Sequence, residues 1–124
     1  MSYILIVDDE QVMADAIADM LDLLDWKTVI ANRPGAAIRE ILKNPPALIF
    51  LDMNMPGVDG LEVCRYIKRD PIMGMIPVIF ITAEDDPGIQ KAALDAGASA
   101  YIIKPMEFEH LEDILSKFVK SNSS

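Results

Sequence analysis

The chain reads as one α/β domain, a parallel sheet of five short strands with helices on both faces. Three observations predict this. Five β-prone runs, near Tyr3 to Val7, Lys27 to Ala31, Ala47 to Leu51, Val78 to Ile81 and Ala100 to Ile103, are separated by intervals wide enough for a helix. Each interval, and the stretch after the last run, carries apolar residues at helical spacing. The runs at 3, 47 and 78 are apolar throughout rather than alternating, as in strands buried on both faces of a parallel sheet. Strict alternation of strand and helix makes each connection a crossover, which gives parallel strands covered on both sides.

The elements follow in order. After Tyr3 to Val7 comes an acidic turn, Asp8-Asp9-Glu10, with Asp9 read as a helix N-cap. Val12, Met13, Ala16, Ile17, Met20, Leu21 and Leu24 then mark the buried stripe of the first helix. Asn32-Arg33-Pro34 opens the second helix, since proline suits a first turn, and Ala37, Ile38, Ile41 and Leu42 form its stripe until Asn44-Pro45-Pro46 stops it. Leu61, Cys64 and Ile67 mark one face of the third helix, and residues 70–77 read as a connecting loop. Asp86-Pro87 caps and starts the fourth helix, with Gly97 as its left-handed end. Phe108, Leu111, Ile114, Leu115 and Phe118 give the fifth helix its stripe. The domain is expected over residues 1–120, with 121–124 as a frayed tail or linker stump.

Bulk properties narrow the function. A chain of 124 residues is the size of one domain, and 52% hydrophobic content supports a packed core. A formal charge of −9 repels phosphate backbones and anionic membranes, so direct nucleic-acid binding is not expected. The single cysteine excludes an internal disulfide, and no apolar run reaches the ~20 residues of a membrane span. The expectation is a soluble cytoplasmic protein with no membrane contact.

In a parallel sheet the residues that follow each strand collect on one edge, where such sheets bind ligands. That edge receives Asp8 and Asp9, Asp52, Thr82 and Lys104. Each alone reads as a cap, a strand end or a surface charge; four separate strand ends converging on one chemistry is a stronger signal. At ~5 Å and an effective dielectric of 20, each carboxylate pair costs roughly 3 kcal/mol, which calls for a raised pKa or a cation. Mg²⁺ suits such a site, because it takes one or two carboxylates and leaves positions for carbonyl, water and phosphoryl oxygens. The Asn54 carbonyl is near enough in sequence to contribute. Asp52 beside a metal and the Lys104 ammonium has the makings of a nucleophile that forms an aspartyl phosphate, with the Thr82 hydroxyl as a further donor.

These residues resemble the receiver domain of two-component response regulators over nearly the whole chain. Ile4-Leu5-Ile6-Val7-Asp8-Asp9-Glu10 is similar to the family's acidic amino-terminal motif, and Asp52-Met53-Asn54-Met55-Pro56-Gly57-Val58-Asp59-Gly60 to its phosphoacceptor loop. Thr82-Ala83 and Lys104-Pro105 match its later motifs in order and spacing. The resemblance implies a flavodoxin-like three-layer (βα)5 sandwich with sheet order 2-1-3-4-5. It implies Asp52 as phosphoacceptor, Mg²⁺ held by Asp9, Asp52 and the Asn54 carbonyl with Asp8 acting through water, and Thr82 and Tyr101 as a switch pair. It also implies a cis Lys104–Pro105 peptide bond, and self-dephosphorylation tuned by Asn54 and Glu84. The expected phosphodonor is a histidine kinase or a histidine phosphotransfer protein. The expected output surface, for a protein or domain not identified, is the face of the fourth helix, fifth strand and fifth helix. Such a protein catalyses its own phosphorylation and dephosphorylation without an independent substrate.

The sequence departs from DNA-binding relatives in one respect. Where many of them carry two acidic residues before the aromatic of strand five and an arginine in the last helix, this chain has Ser99-Ala100 and no arginine there, which argues against their symmetric dimer. A phosphorylation-independent interaction module on the same fold is the alternative, opposed by the retention of Asp52, Thr82 and Lys104. A small-substrate phosphatase is opposed by Asn54, where such enzymes place a second acid. Cys64 reads as a small core residue, His110 as a surface residue, Trp26 as a plug at the bottom of the sheet, and the loop methionines Met53, Met55, Met73 and Met75 as loop packing.

Overall fold

A computed structural model describes residues 2–119. Its strands are β1 (Tyr3–Val7), β2 (Lys27–Ala31), β3 (Leu48–Asp52), β4 (Val78–Thr82) and β5 (Ala100–Ile103), all paired in parallel in the order β2-β1-β3-β4-β5. The helices are α1 (Gln11–Leu23), α2 (Pro34–Lys43), α3 (Gly60–Arg69), α4 (Pro87–Asp95) and α5 (Phe108–Phe118). β1, β3 and β4 are buried at every position, whereas the edge strands β2 and β5 are half-buried, which accounts for the unbroken apolar runs of the former.

Because successive strand side chains point to opposite faces, each central strand feeds two cores. Leu5, Val7, Ile49, Leu51, Val78 and Phe80 pack with Ala37, Ile41, Cys64, Ile67 and Ala93 of α2, α3 and α4. Ile4, Ile6, Leu48, Phe50, Ile79 and Ile81 pack with Ala14, Ile17, Leu21, Leu111, Ile114 and Leu115 of α1 and α5, and with Trp26 at the foot of β2. Phe50 and Phe80, one in each core, are the largest of the fully buried side chains, and truncating either to alanine would cost about 3–5 kcal/mol.

Several local expectations need correction. Asp9 does not cap α1. Glu10 occupies that position without a side-chain bond, because the Asp8 carboxylate takes the Glu10 N–H at 2.9 Å and leaves Asp9 exposed. Val12, Ala16 and Leu42 lie outside their stripes, exposed, while Ala14 is buried; in these short helices only a narrow face reaches the sheet. The 70–77 loop holds a 3-10 turn, Met73–Met75, started by the Asp70 carboxylate accepting from Ile72 N and Met73 N. Lys68 ties this turn to α3 by donating to the carbonyls of Gly74 and Ile76. Of the loop methionines Met55 and Met73 are buried, but Met75 is 82% exposed.

Other expectations hold. Asp86 caps α4 by accepting from Gly88 N, Gly97 has φ +103°, and Lys104–Pro105 is cis. Asp59, which the sequence reading leaves without a capping role, caps α3 by accepting from Leu61 N and Glu62 N. Cys64 is buried, and burial pushes its thiol up to about 11, as expected for a core residue. His110 is exposed. No helix among the described residues is long and apolar enough to cross a membrane. The 121–124 tail lies outside the described residues.

Candidate functional site

The strand register builds the site as a staircase. Val7 pairs with Leu51, which sets Asp8 level with Asp52. Asp52 pairs with Ile81, setting Thr82 one residue further along, and Thr82 pairs with Ile103, setting Lys104 one further again. Each step is fixed by main-chain bonds running past the strand ends, Met53 N to Ile81 O at 2.9 Å and Lys104 N to Thr82 O at 2.8 Å. Lys104 therefore starts two strands away from Asp52, and its long stem brings the ammonium back, Nζ standing 3.2 Å from Asp52 Oδ1.

The carboxylates are buried unequally. Asp8 and Asp52 are 0% and 2% exposed, whereas Asp9 is exposed at the mouth of the cleft. Asp52 Oδ1 also accepts from Asn54 N at 3.0 Å, so one of its oxygens is held by two donors. Burial pushes Asp8 up to about 6; neighbouring Asp52 adds to the rise, while the Glu10 N–H and, more weakly, the Lys104 ammonium oppose it. Its Oδ2 is buried with no hydrogen-bond partner, an unsatisfied group in a place where one is costly.

Carboxylate oxygens of Asp8, Asp9 and Asp52 lie within 4.8 Å of one another. An all-oxygen donor set with an orphaned buried oxygen is chemistry that a hard divalent cation satisfies. The residues present therefore fit Mg²⁺.

Thr82 is 1% exposed, and its Oγ1 accepts from Glu84 N at 3.1 Å, leaving the hydroxyl proton free to be donated elsewhere. The Glu84 side chain is exposed. Asn54, also exposed, bridges two loops: its Oδ1 accepts from Ala83 N at 2.9 Å, joining the turn after β3 to the loop after β4. Tyr101 is half-buried, and its hydroxyl donates to Gln90 Oε1 on α4 at 2.7 Å. Sequence reasoning missed Gln90 and the Ala83 N–H, since a polar residue in a helix and a main-chain amide carry no signal of their own. The cleft thus gathers Asp8, Asp9, Asp52 and Lys104, with Thr82 buried at the neighbouring strand end and Tyr101 linked to α4.

Close to the carboxylates the backbone leaves little room for an extra atom. A Cβ added at Gly60 would stand 3.3 Å from Met53 Cα and 3.5 Å from Asp52 O, so the first residue of α3 rests directly on the end of β3.

Comparison with known proteins adds an independent line. The response regulator ArlR of Staphylococcus saprophyticus is 38% identical over 111 residues, covering 90% of this chain and 49% of that protein. The phosphate regulon transcriptional regulatory protein PhoB of Pseudomonas aeruginosa is 37% identical over 102 residues, 82% of this chain and 44% of that protein. The chain spans about half the length of the curated relatives it matches. A putative response regulator from Chloroflexus aurantiacus superposes with a TM-score of 0.89 at 28% identity, covering 94% of this chain and 96% of that one. The receiver domain of the sensor histidine kinase PA1611 from Pseudomonas aeruginosa, solved with a magnesium ion in its active-site cleft, gives 0.84 at 27% identity with the same coverage. A model of the response regulator receiver domain matches residues 4–116, a span that runs from β1 into α5 and takes in every strand end of the acidic cleft; the chain belongs to that family.

Proposed function

We propose that this chain is a phosphorylation-controlled signalling switch in which Asp52 accepts a phosphoryl group from a histidine kinase or histidine phosphotransfer protein. The observation that carries the reading is the state of the Asp52 carboxylate: buried among other carboxylates, with Oδ1 held by the Lys104 ammonium and the Asn54 N–H. Oδ2 is thereby left as the attacking atom. It forms a bond to phosphorus as the P–N bond of the phosphohistidine breaks, and the electron pair leaves with the donor's imidazole. Mg²⁺, held by Asp9, Asp52 and the Asn54 carbonyl with Asp8 reached through water, would neutralise charge on the phosphoryl oxygens.

The remaining steps belong to the chain. Lys104 stays with the new phosphoryl group as its counter-charge. The Thr82 hydroxyl donates to a phosphoryl oxygen, drawing the loop after β4 inward and opening space for Tyr101 to turn away from Gln90. The face of α4, β5 and α5, altered by this motion, engages an output protein or domain. One or two charge-assisted hydrogen bonds supply the few kcal/mol needed to invert such a two-state balance. Water then reaches the phosphorus in line between Asn54 and Glu84, and hydrolysis resets the switch.

Amide NMR spectra with Mg²⁺, recorded with and without beryllium fluoride as a phosphoryl mimic, test the reading. Shifts at residues 82–104, including Tyr101, are expected. Shifts confined to the loops around Asp8 and Asp52 would reject the switch.

A further inference from the structure

Tyr101 is held from outside its own strand. Phe80 pairs with Tyr101 and Thr82 with Ile103, so by the alternation of a strand Thr82 and Tyr101 lie on one face of the sheet. α4 covers that face: Tyr101 packs against the core that contains Phe80 and Ala93. There its hydroxyl donates to Gln90 Oε1 at 2.7 Å, near the start of α4. Both side chains are half-buried.

Gln90 reaches further than Tyr101. Its Nε2 donates to Asp85 Oδ1 at 3.3 Å, so one amide joins β5 to the loop between β4 and α4. An ionised carboxylate only accepts, which fixes the amide with its nitrogen toward Asp85 and its oxygen toward Tyr101, and makes the tyrosine hydroxyl the donor. Asp85 stands three residues beyond Thr82, in the loop whose Ala83 N–H is held by Asn54 Oδ1 at 2.9 Å. The far end of that loop is fixed by the Asp86 cap on Gly88 N. The chain from Asp85 through Gln90 to Tyr101 therefore closes over the segment that leads from Thr82 into α4.

We infer that Asp85, Gln90 and Tyr101 form a latch that holds the loop after β4 and the Tyr101 ring in their resting positions, with Gln90 setting how much of the unphosphorylated chain adopts the switched conformation. The inference rests on the switch reading above. Drawing Thr82 inward pulls Asp85 along the same loop, and turning Tyr101 withdraws its hydroxyl. Either motion breaks a bond of Gln90, so one amide resists both. Gln90 acts only through these two neighbours, which makes it a positioning residue. Two hydrogen bonds, one of them exposed, weigh about tenfold on a two-state balance. A ligand that binds the switched state works against that bias, so its apparent affinity reports the strength of the latch.

The test titrates the isotope-labelled full chain with beryllium fluoride in saturating Mg²⁺, in wild type and in Gln90→Leu. Before any mimic is added, amides of residues 82–86 and 100–103 in Gln90→Leu should already lie displaced toward the positions that saturated wild type reaches. The mimic should then bind this variant about five- to tenfold more tightly. Gln90→Glu keeps an acceptor for Tyr101 but sets a second carboxylate against Asp85, so it should tighten binding as well. Gln90→Glu/Asp85→Asn exchanges the two ends of the lost hydrogen bond and should return affinity to the wild-type value. A merely structural Gln90 would lower the melting temperature without tightening binding and without this rescue, and that result overturns the latch. If the mimic shifts residues 82–104 of wild type while Gln90→Leu matches wild type in resting shifts and affinity, the switch stands and the latch alone is refuted. A mimic that binds wild type without moving those residues refutes the switch, and the latch with it.

Discussion

Lys104 Nζ stands 3.2 Å from Asp52 Oδ1, joining the end of β5 to the end of β3 across the width of β4. Neither group is free to leave for water, since their side chains are 16% and 3% exposed. The ammonium offsets part of the repulsion between Asp52 and buried Asp8, and it is placed to follow a phosphoryl oxygen once Asp52 carries one.

Lys104→Ala should therefore fold but lose stability without metal, by about 2–4 kcal/mol, because it strands a buried carboxylate. Mg²⁺ should restore part of the loss. Urea unfolding with and without Mg²⁺ measures both effects. The variant should still accept phosphoryl groups, yet fail to move residues 82–104; a wild-type response would remove its coupling role.

Asp8 sets a pH dependence whose sign is fixed by the direction of its shift. The folded chain holds the Asp8 proton up to about pH 6, whereas the unfolded chain releases it near the ordinary value of 3.8. Folding thus binds a proton in that window, and the contribution, full below about pH 4, is lost as pH rises through 6. Asp8→Asn should be more stable than wild type at pH 7 without metal, and the difference should vanish below pH 4. Metal competes with the same proton, so Mg²⁺ affinity in the wild type should fall as pH drops through about 6. Thermal melts and Mg²⁺ titrations across this range check each half.

Gly60→Ala brings a methyl group to 3.3 Å from Met53 Cα, a tight approach to the main chain just beyond β3. The expected cost is about 1–3 kcal/mol, with a slower rate of Asp52 phosphorylation as β3's end shifts. A variant with wild-type stability would show that α3 yields without disturbing the strand.

Asn54→Met and Glu84→Leu should each lengthen the lifetime of phospho-Asp52. Asn54 uses its carbonyl oxygen on Ala83 N and so presents its amide nitrogen as the end free to orient water. Asn54→Met also removes that tie between loops, so its resting spectrum should shift at Ala83, while that of Glu84→Leu should not. Unchanged decay in both would dismiss the tuning role.

Much of this was legible before any coordinates. Continuous apolar runs betrayed the buried strands, and the residue after each run named the site because parallel strands end together. What escaped depends on partners distant in sequence. Asp9 looks like a cap, but Asp8, turned inward, takes the Glu10 N–H instead. Leu42 fits a helical period, yet α2 is too short and too near the sheet's edge strand to bury more than Ala37 and Ile41 fully. Gln90 becomes meaningful only when the crossover from β4 to β5 lays α4 beside Tyr101.

The central claim is that Asp52 is the phosphoacceptor, and intact-protein mass measured after incubation with Mg²⁺ and acetyl phosphate addresses it most directly. One added phosphoryl group is predicted for the wild type, none in Asp52→Asn, and none in the wild type when Mg²⁺ is chelated. The same added mass on folded Asp52→Asn would contradict the account.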